Sequence, residues 1–160
     1  MEQLTFFDFN ERLDDTSQIN ILLSLQNEYF LKMLSGDKKY EYRFAFPKSK
    51  VKAFIYAPRK IKAIVGYVNF EFPIEGDARQ ISKLYSECGD GDYNVMLDYI
   101  GRRKKAYAMK VLNYAQFRKT LSYKEIKNQF PLFCAPQSYI ILDKKPDLLK
   151  FIQSRCDENY

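Results

Sequence analysis

The chain has no histidine, and that absence excludes more chemistry than any other feature of its 160 residues. Without an imidazole there is no Ser-His-Asp or Cys-His triad, no histidine-ligated zinc and no side chain that ordinarily titrates near neutrality as a general base. Any catalysis has to rest on Lys, Glu, Asp, Tyr, Ser, Thr or Cys. Tryptophan is also missing. The three cysteines, Cys88, Cys134 and Cys156, are an odd number without metal-ligand spacing, so no metal site is expected. The first residues lack the basic-then-apolar pattern of a signal peptide, and together with the cysteine usage this predicts a reduced, cytoplasmic setting. No apolar run approaches the roughly 20 residues a membrane helix needs, so no membrane association is expected. No cofactor is expected either.

What the chain does have is 13 Phe and 13 Tyr, which lift the aromatic share to 16% within a hydrophobic share of 46%. Such a composition suits a β-rich fold whose phenols sit half in and half out of water. The length fits one domain, and neither an internal repeat nor a low-complexity tract divides it. Charge is uneven along the sequence. Residues 1–20 hold five acids (Glu2, Asp8, Glu11, Asp14, Asp15) and one base (Arg12), a net charge of −4, so the +6 of the whole chain leaves +10 on residues 21–160. The expected organisation is therefore an acidic extension over 1–20, carrying Phe6, Phe7 and Phe9, and a single basic domain over 21–160. A basic body favours polyanionic partners through counterion release and steering.

The chain is organised around Ile21 to Arg43. An apolar strand (Ile21, Leu22, Leu23) leads to a short helix from Glu28, capped by Asn27, with Phe30, Met33 and Leu34 on one face and Gly36 as its left-handed terminus. The string Gly36, Asp37, Lys38, Lys39, Tyr40, Glu41, Tyr42, Arg43 follows. Read as a strand, it places Lys39, Glu41 and Arg43 on one face and Lys38, Tyr40 and Tyr42 on the other. On these residues alone, a solvated edge laced by ion pairs and a charged site are both open.

Beyond it, Val51–Tyr56 and Ile61–Phe72 read as two strands joined by a tight basic turn (Ala57, Pro58, Arg59, Lys60), with Gly66 marking a bulge. Pro73–Gly91 reads as helical. A second helix spans Tyr93–Ile100 and stops at Gly101. The densest basic run, Arg102, Arg103, Lys104, Lys105, precedes a strand Ala106–Asn113; as a solvated turn it needs no function, and as part of a site it presents four cations at a sheet edge. Ser122 caps a helix over Tyr123–Gln129, a strand covers Tyr139–Leu142, and a last helix covers Leu148–Gln153.

In the order of these elements and the wording of its segments, the chain resembles the ASCH family of the PUA-like superfamily, over roughly Ile21 to Leu142. The resemblance rests on the pattern Gly-x-Lys-x-x-Glu-x-Arg (Gly36, Lys38, Glu41, Arg43), on Ile55, Tyr56, Ala57 before a turn, on Ile61–Tyr67 with its Ile-Val-Gly centre, and on Ala135, Pro136, Gln137, Ser138. It implies an α+β fold, a small β-barrel of about five to six strands with flanking short helices, and a cleft beside the charged motif. It also implies RNA or a nucleotide as the partner. Lys38 and Arg43 would hold phosphate or base oxygens, Glu41 would accept from an exocyclic amine or pair with Arg43, and Tyr56 would stand at the rim. Arg59, Lys60, Arg102, Arg103, Lys104 and Lys105 would track phosphate, with Gln137 and Ser138 completing the binding set. Some relatives are enzymes. In an amidohydrolase built on lysine, threonine and glutamate, the lysine falls on Lys38 but the threonine falls on Glu41, and its glutamate has no placed counterpart near Glu71 or Glu87. Relatives described as ribonucleases imply instead a pair such as Lys38 and Glu41. The chain is thus expected to be a nucleic-acid or nucleotide-binding module, most simply for RNA, with a small hydrolase of modified nucleosides or RNA as the alternative; whether it is an enzyme stays open.

Overall fold

The computed structural model describes residues 18–157. In chain order the elements are β1 (Ile19–Ser24), α1 (Asn27–Ser35), β2 (Tyr40–Arg43), β3 (Val51–Ala57), β4 (Ala63–Phe70), β5 (Ile74–Gly76), α2 (Ala78–Glu87), α3 (Tyr93–Ile100), β6 (Ala106–Ser122), α4 (Tyr123–Gln129), β7 (Tyr139–Ile141), a 3-10 turn (Leu142–Lys144) and α5 (Pro146–Asp157). The strands form one curled sheet in the order β2-β6-β4-β3-β1-β7, with β5 also paired to β6. The α+β class expected from the resemblance holds, and the small barrel it implied is a half-barrel with the short β5 as a seventh strand.

The central strands are covered on both faces, which explains why β1 and β3 read as continuous apolar runs. Ile21 and Leu23 of β1 join Val51, Ala53 and Ile55 of β3 in the core beneath α1, where Phe30 and Met33 close it. From the opposite face, Leu22, Phe54 and Tyr56 pack with Ile126 of α4 and Leu148 and Ile152 of α5. β1 and β3 are parallel, Ile21 opposite Ala53 and Leu22 opposite Phe54, so equivalent side chains reach the same layer. A third cluster, formed by Ile81, Met96 and Ile100 with Tyr42, Ala106 and Ala108, seats α2 and α3 beside β2 and β6.

Gly66 sits where this packing is tightest. The β4–β6 register shifts between Ile64 and Gly66. A Cβ at Gly66 would press into the Ala115 carbonyl oxygen and lie 2.7 Å from Phe30 Cζ. The missing side chain therefore lets both β6 and α1 close on β4.

Several expected boundaries move. Asn27 is the first residue of α1, Gln26 is its cap, and no side chain caps it. Part of the Pro73–Gly91 stretch is the strand β5, and α2 starts only after Asp77, whose carboxylate accepts from Gln80 N while the Gln80 side chain accepts from Asp77 N. β6 runs nine residues past Asn113, to Ser122, because its first part pairs β2 and β5 and its remainder lies along β4. The last helix begins at Pro146 and extends to Asp157. Most of the acidic extension, residues 1–17, lies outside the described residues; β1 begins within its last two positions.

Candidate functional site

The charged motif begins where α1 ends. Gly36 adopts φ +84° and its N–H returns to Met33 O at 3.2 Å, the left-handed closure that glycine makes without steric cost. Lys38 N–H then donates to Lys32 O at 3.0 Å, so Lys38 belongs to the turn, and β2 starts only at Tyr40. Strand alternation therefore does not apply to Lys38. Its ammonium swings to the Glu41 side and lies 3.6 Å from Glu41 Oε1.

Glu41 is buried, 6% exposed, and both its oxygens are engaged. Oε1 accepts from Tyr42 N–H at 3.0 Å, and Oε2 accepts from Arg43 Nη2 at 3.1 Å. The same Arg43 nitrogen donates to Ser24 O at 3.0 Å, tying β2 to the end of β1. Two cations thus share one carboxylate, leaving a net charge of +1 at a partly desolvated position where it is weakly screened. The Lys38 ammonium also lies over the rings of Tyr42 at 5.0 Å and Tyr29 at 5.7 Å.

The start of β2 is held by Asp90, which the sequence did not mark as part of the site. Asp90 accepts from Lys39 N at 2.7 Å, from Tyr40 N at 3.0 Å and from the Tyr42 hydroxyl at 2.8 Å. Burial, followed by the hydrogen bond to Asp90, holds the Tyr42 phenol well above its ordinary range, so it remains a neutral donor. Tyr40 and Tyr85 are raised in the same direction, burial being the main cause.

Above the charged triad opens a cleft of about 500 Å³ lined by Ser24, Tyr29, Glu41, Arg43, Arg59, Tyr99 and Gln137 among others. A lobe of about 280 Å³ adjoins it, sharing Tyr29, Glu41, Tyr42 and Tyr99 and adding Lys38, Tyr85 and Met96. Arg59 enters from the β3–β4 turn with φ +66°, an uncommon backbone state for a residue with a Cβ.

Lys38, Glu41, Arg43, Arg59 and Gln137 are therefore brought together. Lys60 is exposed in the same turn as Arg59, and Ser138, also exposed, accepts from Ser24 N through its carbonyl. Tyr56 lies elsewhere: its side chain is 3% exposed within the cluster beneath α4 and α5, so its ring is not at the cleft rim. Arg102, Arg103, Lys104 and Lys105 are all exposed after α3. Of these, Arg103 stacks on Phe44 at 3.9 Å, and Phe44 stacks on Tyr99 at 5.1 Å, a chain of planes leading to the cleft. Lys105 pairs with Glu75 at 3.1 Å instead.

The rim residues Tyr29 and Tyr99 were not singled out from sequence. Both fall within segments that the sequence predicts as helices, and Tyr99 is 56% exposed. Among the described residues there is no cluster of three or more Cys, Asp and Glu able to hold a metal, and no helix is long and apolar enough to cross a membrane.

Comparison with known proteins agrees with this architecture. No protein-family model matches the chain. A curated protein of Zymomonas mobilis, named as an ASCH domain-containing ribonuclease, is 26% identical over 126 residues, covering 78% of this chain and 84% of that protein. The crystal structure of ASCH from Zymomonas mobilis superposes with a TM-score of 0.68 at 24% identity, covering 83% of this chain and 94% of that one. The fold is that of an ASCH domain. A serine-to-alanine variant of the same Zymomonas protein superposes on this ASCH fold with a TM-score of 0.66 at 23% identity, over 84% of this chain and 96% of that one. A tyrosine-to-phenylalanine variant gives 0.65 at 23% identity, over 83% and 98%. Lys38, Glu41 and Arg43 lie at the cleft of this ASCH fold, on the turn and strand that follow α1.

Proposed function

We propose that the chain binds single-stranded RNA in the cleft above Lys38, Glu41 and Arg43. The observation that carries this reading is the net positive triad set beneath two exposed tyrosines, with Arg59 at one wall and the Tyr99–Phe44–Arg103 stack leading away from it. Each Glu41 oxygen accepts from a neighbour, and in this reading the carboxylate positions the two cations; Lys38 and the remaining N–H groups of Arg43 meet phosphate or base carbonyl oxygens. Tyr29 and Tyr99 supply planes on which bases stack without strong sequence preference. Arg59 and Arg103 follow the backbone. The ribonuclease name of the Zymomonas relative supports RNA as the polyanion.

The test is fluorescence anisotropy of a labelled single-stranded RNA against the parent and the double variant Lys38→Ala, Arg43→Ala, over a series of salt concentrations. The variant is expected to bind more weakly and to lower the slope of log K against log salt by about 1.4, since each contact to a single strand is worth about 0.7. Equal affinity and slope would remove the cleft from the account.

A second reading, RNA cleavage, is favoured by the 3.6 Å approach of Lys38 Nζ to Glu41 Oε1. In a chain without histidine, this pair can divide the work: the carboxylate takes the 2′-hydroxyl proton, the 2′-oxygen attacks the adjacent phosphorus, and the ammonium returns a proton to the departing 5′-oxygen. A 2′,3′-cyclic phosphate and a 5′-hydroxyl result. Incubation with RNA and with its 2′-deoxy counterpart decides this reading, which requires cleavage of the first alone and its loss in Glu41→Gln.

A further inference from the structure

On the other side of Lys38 lies a separate cavity of about 480 Å³, between the end of α1, the start of β2 and the middle of β6. Lys38 lines both this cavity and the aromatic lobe of the cleft. Three lysines, Lys38, Lys39 and Lys110, face one acid, Glu87, across it, a local excess of two positive charges. Lys110 stands opposite Tyr40 in the β2–β6 register, and Lys39 Nζ donates to Cys88 O at 3.0 Å, which fixes that ammonium against the wall.

The floor next to these cations is not polar. On β6, Lys110, Leu112 and Tyr114 all line the cavity across the register shift that sets Leu112 between the Phe70–Val111 and Asn69–Asn113 pairs, and Leu112 and Tyr114 remain 46% and 45% exposed. The Tyr114 hydroxyl donates to Leu34 O at 3.0 Å, so the ring is held to the end of α1 with almost half of its surface open. An exposed aromatic plane in a fixed orientation, beside an apolar side chain and flanked by lysines, has the elements of a nucleotide platform: a π-face for a base and cations for the phosphates on either side of it.

We propose that this cavity is a second nucleotide subsite, in which the strand leaving the cleft crosses Lys38, places a phosphate between Lys39 and Lys110, and lays a base on Tyr114. This rests on the reading of the cleft as an RNA site. It gives the bound strand a path, from Arg59 and Arg103 on one side of the triad to Lys110 and Tyr114 on the other.

The test uses the full chain and labelled oligouridylates of increasing length, from about two to about twelve nucleotides, a range bracketing the site sizes of comparable single-strand binders. Parent affinity should rise once the oligomer is long enough to reach beyond Lys38. Lys110→Glu and Tyr114→Ala, both surface changes, should bind the shortest oligomers like the parent but lose about tenfold on the long ones, while Tyr114→Phe, which keeps the ring, should follow the parent. Parental length dependence in Lys110→Glu and Tyr114→Ala would overturn the subsite. So would an equal loss at every length, which would mean general electrostatics or a protein-binding face. Arg43→Ala separates the two ideas. Loss of short-oligomer binding in that variant supports the cleft alone; if it binds short oligomers normally while Lys110→Glu still loses the gain with length, the cleft reading falls and the subsite stands. A parent that binds no oligomer removes both.

Discussion

Glu41 and Arg43, two residues apart on β2, meet through Oε2 and Nη2 at 3.1 Å, and the same guanidinium nitrogen reaches Ser24 O at the end of β1. The pair therefore holds together two strands as well as a charge arrangement, and stability and binding are linked at these residues.

Neutralising the carboxylate exposes that link. Glu41→Gln removes the shared counter-charge from Lys38 and Arg43 in a buried position. It is expected to cost about 1 to 3 kcal/mol in urea unfolding. Arg43→Ala should cost less in the Glu41→Gln background than in the parent, because the first substitution has already broken the contact. A double-mutant cycle checks this, with a coupling of about 0.5 kcal/mol or more expected.

The burial of the Tyr42 phenol, with its hydrogen bond to Asp90, makes stability fall in alkali. The Tyr42 phenol titrates above its ordinary 10.0 in the folded chain, because of burial first and its hydrogen bond to Asp90 second. Below pH 10 both states keep the proton and the stabilisation is complete; above it the unfolded chain releases the proton and the folded chain does not, so unfolding is favoured as pH rises. Urea midpoints measured from neutrality upward should decline past about pH 10. Tyr42→Phe should make the decline shallower, with a residual slope from Tyr40, Tyr56 and Tyr85, all shifted the same way.

Gly66 couples the core to the cleft. A methyl group there must displace Phe30 or the Ala115 carbonyl, and Phe30 is on α1, next to Tyr29. Gly66→Ala is expected to destabilise the fold by about 1 to 3 kcal/mol. It should also weaken RNA binding, although residue 66 lies under α1 and not in the cleft. Unfolding curves and anisotropy on the same preparation test both effects.

Arg59 should separate stability from function. Its left-handed backbone is one that glycine adopts freely. Arg59→Gly is expected to leave stability unchanged or to raise it by up to about 1 kcal/mol. The same variant should bind RNA more weakly, with a salt slope lower by about 0.7.

Much of this architecture was legible in local chemistry. Gly36 marks the end of α1, Arg59 and Lys60 mark a hairpin tip, and Tyr93–Ile100 has the predicted bounds. β5 was not legible, because Ile74, Glu75 and Gly76 are too short to show a period and adjoin a strong helix cap at Asp77. The length of β6 was hidden because it changes partners midway, and its Lys110–Thr120 stretch alternates with polar residues on both faces. The site was half visible: Glu41 and Arg43 obey strand period, whereas Lys38 joins them only through a turn, and Asp90 acts across 48 residues of chain on Tyr42. Tyr56 shows the converse error. A tyrosine before a basic turn suggests a rim, but its strand is covered on both faces and its ring is buried.

Photo-crosslinking of a 4-thiouridine-substituted single-stranded RNA, followed by peptide mapping, asks most directly where RNA lies. The account predicts crosslinks in the segments carrying Tyr29, Arg43 and Tyr99, lost in the Lys38→Ala, Arg43→Ala variant. Crosslinks that map away from these segments, and persist in that variant, would contradict it.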